Sequence, residues 1–509
     1  MKALNYLAVV AVTIGLILTA SADQRPNIIV IMCDDMGYSD IGCYGSEIKT
    51  PNLDMLAANG LRYSQMYNTS KCNTSRSSLL TGRYVSAQTN AENYDAGPLI
   101  SELLQNVGYR TLWSGKNHSR IRPPSRGFDR FYGFQGGACN FWNPGDKLQD
   151  GGKFPYIKTY EWMVEDKWRK TYTPEDPNYF MTDAITDNAI SWLNEYENED
   201  KPFFLYLAYN APHWPLHAPE KDIAKYKGVY DEGYQKIREA RYKRMIEKGA
   251  IDPQTAPLAP EKIRVWEKLS DKVRKLEAQR MEIHAAMVDN MDQNIGKVIK
   301  TLKKQDELDN TLILFFSDNG GSDERVVKGF KNYKPTGNEK MGSVMSYECI
   351  GRDWAGVVNT PLAKYKATSH EGGICTPMIA HWPNGMTAKG TWNHKPVHLV
   401  DIMSTVLDVT EQSYPAEFKG KKAKPIHGLS LIPSFEQKEL AKRQYTMGFY
   451  FRDGRAIRKG NWKLVSYRNG PWELYNMSKD RTETQNLAKQ NPELVESLKK
   501  EFEQWMASL

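Results

Sequence analysis

Asn27-Ile28-Ile29-Val30-Ile31-Met32, running into Cys33-Asp34-Asp35-Met36-Gly37, sets the architecture of this chain. A nearly continuous run of Ile and Val reads as a strand covered on both faces, the pattern of a central strand in a parallel or mixed sheet. Two carboxylates then project where the strand stops. The same arrangement returns twice. Residues 311–316 are apolar and lead into Ser317-Asp318-Asn319-Gly320-Gly321, and residues 202–209 lead into Asn210-Ala211-Pro212-His213. Three buried strands each deliver polar residues to the position where open α/β sheets hold ligands, outside the carboxyl ends of the strands. The expectation is an α/β fold with a large mixed β-sheet flanked by helices.

Helical patterns fill the intervals. Residues 177–196 are amphipathic, with Asp176 as the expected N-cap and Pro177 at the first helical position. Residues 262–303 read as a long charged helical stretch, broken once, whose apolar stripe is Ile283, Met287, Met291, Ile295 and Val298. Residues 320–360, with many Gly, Asn and Lys, read as a long surface loop. Further on, 397–409 reads as one helix packed on the main body, and 413–440 as a Pro- and Lys-rich linker. Residues 445–450, 455–458, 462–467 and 473–475 suggest a small antiparallel sheet, closed by an amphipathic helix over 492–509. The expected division is a leader at 1–22, a catalytic domain at 23–430 and a smaller α+β C-terminal subdomain at 431–509.

Bulk properties narrow the classes. At 509 residues, 40% hydrophobic and 25% charged, the chain has ordinary globular composition, which excludes wholesale disorder. A net charge of +7 from 68 basic and 61 acidic residues mildly favours anionic substrates. No Arg/Lys-rich arm with interleaved aromatics is present, so nucleic acid is not an expected partner. Met1-Lys2, an apolar run over 7–18 and Ala20-Ser21-Ala22 read as a cleaved leader. The run is shorter than the roughly 20 residues of a spanning helix, so no membrane anchor is expected after cleavage. Six cysteines (33, 43, 72, 139, 349 and 375) are too sparse for a disulfide scaffold, and Cys33 is expected as a buried thiol. Export to a periplasm or to the medium follows. Two glycosylation sequons, at Asn73 and Asn117, fall among the expected site residues, which favours a bacterial source.

Asp34, Asp35, Asp318 and Asn319 make an all-oxygen donor set for a hard divalent cation, Ca²⁺ before Mg²⁺, without the thiolate and imidazole pattern of zinc. Turn punctuation is the competing account of an Asp-Asp or Asp-Asn pair. It is the weaker one here, because both pairs end buried strands.

The stretch from Cys72 to Arg83, Cys-Asn-Thr-Ser-Arg-Ser-Ser-Leu-Leu-Thr-Gly-Arg, resembles the signature of the sulfatase family. In that family the cysteine is oxidised to formylglycine, whose hydrate attacks sulfur, by a formylglycine-generating or anaerobic sulfatase-maturating enzyme. The family also uses an Asp-Asp after the first strand and a later Asp-Asn as metal ligands, and the resemblance implies that the modified Cys72 completes the coordination. Gly115-Lys116-Asn117-His118 resembles the family's Gly-Lys-x-His element. By analogy Lys116 binds a sulfate oxygen, and His118 takes the proton whose removal expels sulfate and regenerates the aldehyde. His213 is the candidate general acid, a role worth roughly 10²–10⁴-fold. Lys366, in Tyr365-Lys366-Ala367-Thr368-Ser369-His370-Glu371-Gly372-Gly373-Ile374, is similar to the lysine bridging sulfate and leaving group. Arg76 would hold the nucleophile and offset charge.

For substrate contacts the candidates are Lys116, His213 and Lys366, with His370 and Arg352 as possible partners of sugar hydroxyls. Phe141, Trp142, Trp162, Trp214 and Trp354 are candidates for a stacking rim, with ordinary packing as the equal alternative. The terminal segments around Trp462-Lys463-Leu464-Val465 and Trp472-Glu473-Leu474-Tyr475 resemble sulfatase C-terminal domains. The resemblance implies an alkaline-phosphatase-like fold and hydrolysis of sulfate monoesters, and export points to a sulfated carbohydrate. Two alternatives stay open. One is a phosphonate monoester or phosphodiester hydrolase of the same superfamily. The other is a catalytically silent carbohydrate-binding protein, prompted by Thr74, where the family prefers Pro or Ala.

Overall fold

The computed structural model describes residues 25–85, 94, 97–148, 159–260, 262–325, 339–443 and 446–509. The expected leader, residues 326–338 of the expected loop and Tyr445 lie outside them. Eleven strands form the main sheet: β1 (Asn27–Cys33), β2 (Leu61–Tyr67), β3 (Arg110–Lys116), β4 (Arg130–Phe134), β5 (Trp162–Val164), β6 (Lys167–Arg169), β7 (Phe203–Ala208), β8 (Thr311–Ser317), β9 (Cys375–His381), β10 (Thr391–Asn393) and β11 (Val397–His398). Their order is β10-β2-β9-β8-β1-β7-β3-β4-β5-β6, with β11 also paired to β2.

The register explains why distant segments meet. β1 runs parallel to both β7 and β8, aligning Met32 with Ala208 and Cys33 with Ser317. β3 is parallel to β7, with Gly115 opposite Ala208. β9 is antiparallel to β8 and β2, and Cys375 at its start lies opposite Tyr67 at the end of β2. The carboxyl ends of β1, β2, β3, β7 and β8, together with the beginning of β9, therefore share one edge. Lys116 ends β3, Asp34, Cys72, His213 and Asp318 follow their strands by one to five residues, and Lys366 precedes β9 by nine.

Alternation along β1 sends successive side chains to opposite faces. Ile29 and Ile31 belong to one buried cluster, while Ile28, Val30 and Met32 belong to a second. The first is closed by the Met181–Glu195, Asp271–Lys304 and Gly351–Val358 helices; the second by Cys72–Thr81, Ile100–Asn106 and Asp401–Val409. The expected stripe Ile283, Met287, Met291, Ile295 and Val298 is buried throughout. Each such side chain contributes roughly 1.5–3 kcal/mol.

The C-terminal sheet is antiparallel, in the order β14 (Met447–Phe451), β15 (Gly454–Lys459), β16 (Trp462–Ser466) and β17 (Trp472–Asn476), after a two-strand ribbon of β12 (Glu417–Phe418) and β13 (Lys421–Lys422). One face, with Ala456 and Val465, joins the first core. The other, with Ile457, Leu464 and Leu474, packs on Leu498 and Phe502 of the Pro492–Ala507 helix.

Several element expectations need correction. The helix expected over 177–196 begins at Met181, whose N–H is taken by the Phe141 carbonyl; Asp176 instead accepts from the Asn178 N–H in a local turn. In 262–303 the break falls at Leu269-Ser270, and Asp271–Lys304 is continuous over 34 residues. The stretch 320–360 is not all surface loop: Gly351–Val358 is a buried helix centred on Trp354. Residues 397–409 split into β11 and the Asp401–Val409 helix, and Asp401 accepts from the His398 N–H across the turn between them. All six cysteines are buried thiols.

Candidate active site

Cys72 is the first residue of the Cys72–Thr81 helix and fully buried, at the end where aligned peptide dipoles favour negative charge. Thr74 sits in the same first turn. Its hydroxyl donates to the Lys71 carbonyl at 3.0 Å and accepts from Thr69 Oγ1 at 2.6 Å. Arg76, one turn further, lies on the face of Cys72. Its guanidinium pairs with Asp318 Oδ2 at 2.9 Å and donates to the Lys116 carbonyl and the Tyr206 hydroxyl.

Three buried carboxylates are matched by three buried cations. Lys116 Nζ pairs with Asp34, Lys366 Nζ with Asp35 at 2.7 Å, and Arg76 with Asp318. Asp35 adopts φ 65°, a left-handed conformation that a short polar residue tolerates. Its N–H donates to Asp318 Oδ1 at 3.3 Å, and Asn319 Nδ2 donates to Asp35 Oδ1 at 2.7 Å. Gly320 follows where the chain passes so close to Gly372 that a Cβ would lie 1.8 Å from its carbonyl oxygen.

Asp34 Oδ1 and Asn319 Oδ1 are buried without a hydrogen-bond partner. Buried polar atoms are ordinarily bonded, so two orphaned oxygens within a carboxylate cluster fit a hard cation. Ligand atoms of Asp34, Asp35, Cys72 and His213 lie within 4.8 Å of one another.

Burial, reinforced by Asp34, pushes the Cys72 thiol up to about 12. An unconverted Cys72 is then a neutral thiol and a poor nucleophile. Burial and Asp318 raise Asp34 despite Lys116. Burial would raise Asp35 too, but Lys366 and then His213 hold it below the usual range. His213 Nδ1 faces the Trp214 carbonyl at 2.7 Å and so carries the proton, leaving Nε2 toward Lys366 Nζ at 3.2 Å. Desolvation, then Lys116 and Arg76, keep His118 well below its ordinary value.

These groups open onto a cavity of about 400 Å³ whose walls include Lys71, Cys72, His118, His213, Trp214 and Glu324. The model of the family described as Sulfatase matches residues 26–412 of the chain. This chain belongs to the sulfatase family. It is accordingly a sulfuric ester hydrolase, with an alkaline-phosphatase-like sulfatase fold. A second model, N-sulphoglucosamine sulphohydrolase, C-terminal, matches residues 365–508.

The sulfatase is 33% identical to an arylsulfatase of Klebsiella aerogenes over 84% of its own length and 96% of the relative's. It is 27% identical to the N-acetylgalactosamine-6-sulfatase of Homo sapiens, over 85% and 69%. The crystal structure of Ps i-CgsB in complex with k-i-k-neocarrahexaose superposes with a TM-score of 0.67 at 29% identity, covering 95% of this sulfatase and 93% of that chain.

Of the residues singled out from sequence, Asp34, Asp35, Cys72, Arg76, Lys116, His118, His213, Asp318, Asn319 and Lys366 come together in and under this cavity. His370 and Arg352 do not line it. His370 is buried against the C-terminal sheet, its Nε2 2.9 Å from Glu473. Arg352 is exposed, 5.9 Å from the Tyr365 ring. Of the five aromatics, Trp214 alone is on the cavity wall; Phe141, Trp162 and Trp354 are core, and Trp142 donates to the Gly342 carbonyl. Glu324 and Lys71 were not anticipated. The only signals in the sequence were their places five residues after Asn319 and one before Cys72.

Proposed function

We propose that this sulfatase removes sulfate from a sulfated carbohydrate, with position 72 supplying the nucleophile as formylglycine and one divalent cation held by Asp34, Asp35, Asp318 and Asn319. The observation that carries the reading is the three-to-three pairing of Asp34, Asp35 and Asp318 with Lys116, Lys366 and Arg76 around Cys72. One cluster thus contains donors for a cation and donors for an anion. A divalent cation, Ca²⁺ before Mg²⁺, would offset the carboxylates and polarise a sulfate oxygen there. Carbohydrate is supported by the relative seen with a neocarrahexaose.

Lys116 and Lys366 bind sulfate oxygens, and Arg76 orients Asp318 while balancing its charge, an electrostatic arrangement fixed before substrate arrives. The Lys366–His213 pair holds the proton delivered to the leaving oxygen. His118, kept neutral in the same cavity, is the base. Every residue given a role falls within 23–430, and the C-terminal unit at 431–509 packs behind them. Conversion of Cys72 requires a formylglycine-generating or anaerobic maturating enzyme. The leader pattern supports export, and no helix among the described residues is long and apolar enough to cross a membrane. Asn117 is buried, with Nδ2 bonded to the Ile121 carbonyl, so its sequon suits a bacterial periplasm.

Protein from its native host tests the reading. An aryl sulfate should be hydrolysed in preference to an aryl phosphodiester, with loss of turnover on chelation and recovery with Ca²⁺. The Cys72 peptide should carry the aldehyde mass. A phosphodiester preference would reassign the enzyme to phosphoryl chemistry, and an unconverted Cys72 without turnover would make it a carbohydrate-binding protein.

A further inference from the structure

An anion-binding cavity has little reason to present an acidic wall, yet Glu324 stands there. Its Oε1 is 3.2 Å from Lys71 Nζ, and its Oε2 accepts from Trp214 Nε1 at 2.5 Å. Lys366 Nζ is 3.7 Å away, beyond hydrogen-bond reach. Lys71 precedes the nucleophile position and Trp214 follows His213, so the carboxylate is pinned from both sides. About a third of the side chain, 37%, is open to solvent. A carboxylate offers about four acceptor positions. Lys71 and Trp214 take two, which leaves room for further donors from the cavity.

The side of the site is also fixed. Glu324 lies against Lys366, which bridges sulfate and leaving oxygen, and against the loop of His213, the proton donor to that oxygen. Lys116 and Arg76, on the sulfate side, pair with Asp34 and Asp318. A carboxylate here meets the sugar ring around the ester. It can accept a hydroxyl, and it repels a second sulfate.

We infer that Glu324 is the specificity-determining residue of the leaving-group side, selecting a sugar with a free hydroxyl beside its sulfate ester over one with a second anionic group there. This rests on the sulfatase reading above and names the substrate within it.

The test compares kcat/KM of the matured enzyme on an aryl sulfate, on hexose monosulfates with a free vicinal hydroxyl, and on the matching disulfates. The wild type should favour monosulfates at least tenfold, and Glu324→Gln should shrink that ratio toward one. Glu324→Asp, which keeps the charge and shortens the reach, should lower monosulfate turnover while still rejecting disulfates. A wild type that prefers disulfates overturns the inference without need of any variant, as does a ratio that Glu324→Gln leaves within twofold. A wild type inactive on all sulfate esters, the aryl sulfate included, overturns the parent reading instead.

Discussion

His213 has the most constrained chemistry of any single residue in the site. Its Nδ1 is committed to the Trp214 carbonyl, so Nε2 is the only ring nitrogen able to exchange a proton, and it faces Lys366 at 3.2 Å and Asp35 at 3.5 Å. A sugar alkoxide is a poor leaving group and needs that proton; an acidic phenol does not. His213→Ala should therefore cost roughly 10²–10⁴-fold on sugar sulfates and much less on aryl sulfates of acidic phenols. Plotting kcat/KM against phenol pKa should give a steeper dependence in the variant, and an equal loss across the series would remove His213 from proton delivery. Residues of this kind were legible in the sequence because each sits within a few positions of a buried strand end. Glu324 was not, because its meaning comes from Lys71 and Trp214, which are far away along the chain.

At the scale of elements, strands whose side chains are buried on both faces announce themselves as unbroken apolar runs, and β1, β7 and β8 were readable for that reason. The Gly351–Val358 helix was not. It is only eight residues long, about two turns, too short for a helical period to stand out, and its glycines resemble loop composition. The segment after β7 shows what holds such loops. His217 accepts the Phe141 N–H on Nδ1 at 3.3 Å and donates from Nε2 to the Ser346 carbonyl at 2.7 Å, joining three segments beneath the cavity. Burial, against a small opposing effect of the Ser346 bond, lowers its pKa to about 4. A proton on Nδ1 would face a donor.

The sign follows from proton uptake. Between pH 6.5 and 4 the unfolded chain protonates this histidine and the folded chain does not, so stability present above 6.5 is lost as pH falls. Full loss amounts to roughly 3 kcal/mol. His381 and His427, also lowered to about 4 by burial, add to the same slope. His217→Gln should be less stable at pH 7 yet show a shallower decline between pH 6.5 and 4.5 in urea unfolding. An unchanged slope would mean that His217 titrates normally in the fold.

At the scale of the molecule, a buried ion cluster links the C-terminal sheet to the active site. Lys463 on β16 pairs with Glu371 at 2.8 Å and Glu483 at 2.7 Å, all three side chains fully buried. Glu371 also accepts from the hydroxyl of Tyr67, the last residue of β2, and its own N–H donates to Glu483. Glu371 opens the Glu371–Ile374 helix, whose Gly373 carbonyl accepts the Gly320 N–H beside Asn319; the Lys366 N–H in turn donates to the Gly321 carbonyl. Lys463 thereby anchors the segment that carries Lys366 and the one that carries Asn319. A lysine inside a strand pattern reads as a solvent-facing residue, so this link was invisible in the sequence even though the sheet was not.

Lys463→Met keeps the volume and strands two carboxylates. Breaking a buried pair in this way costs about 3–5 kcal/mol. Because the anchored segments carry catalytic groups, kcat of the variant that remains folded should also fall at least tenfold with little change in KM, and Lys463→Arg should recover part of both losses. Urea unfolding and kinetics on the same preparation separate two roles for the sheet. A variant that is destabilised but turns over at the wild-type rate would reduce the C-terminal sheet to a clamp on the fold. A matched loss would make it a positioning element of the active site.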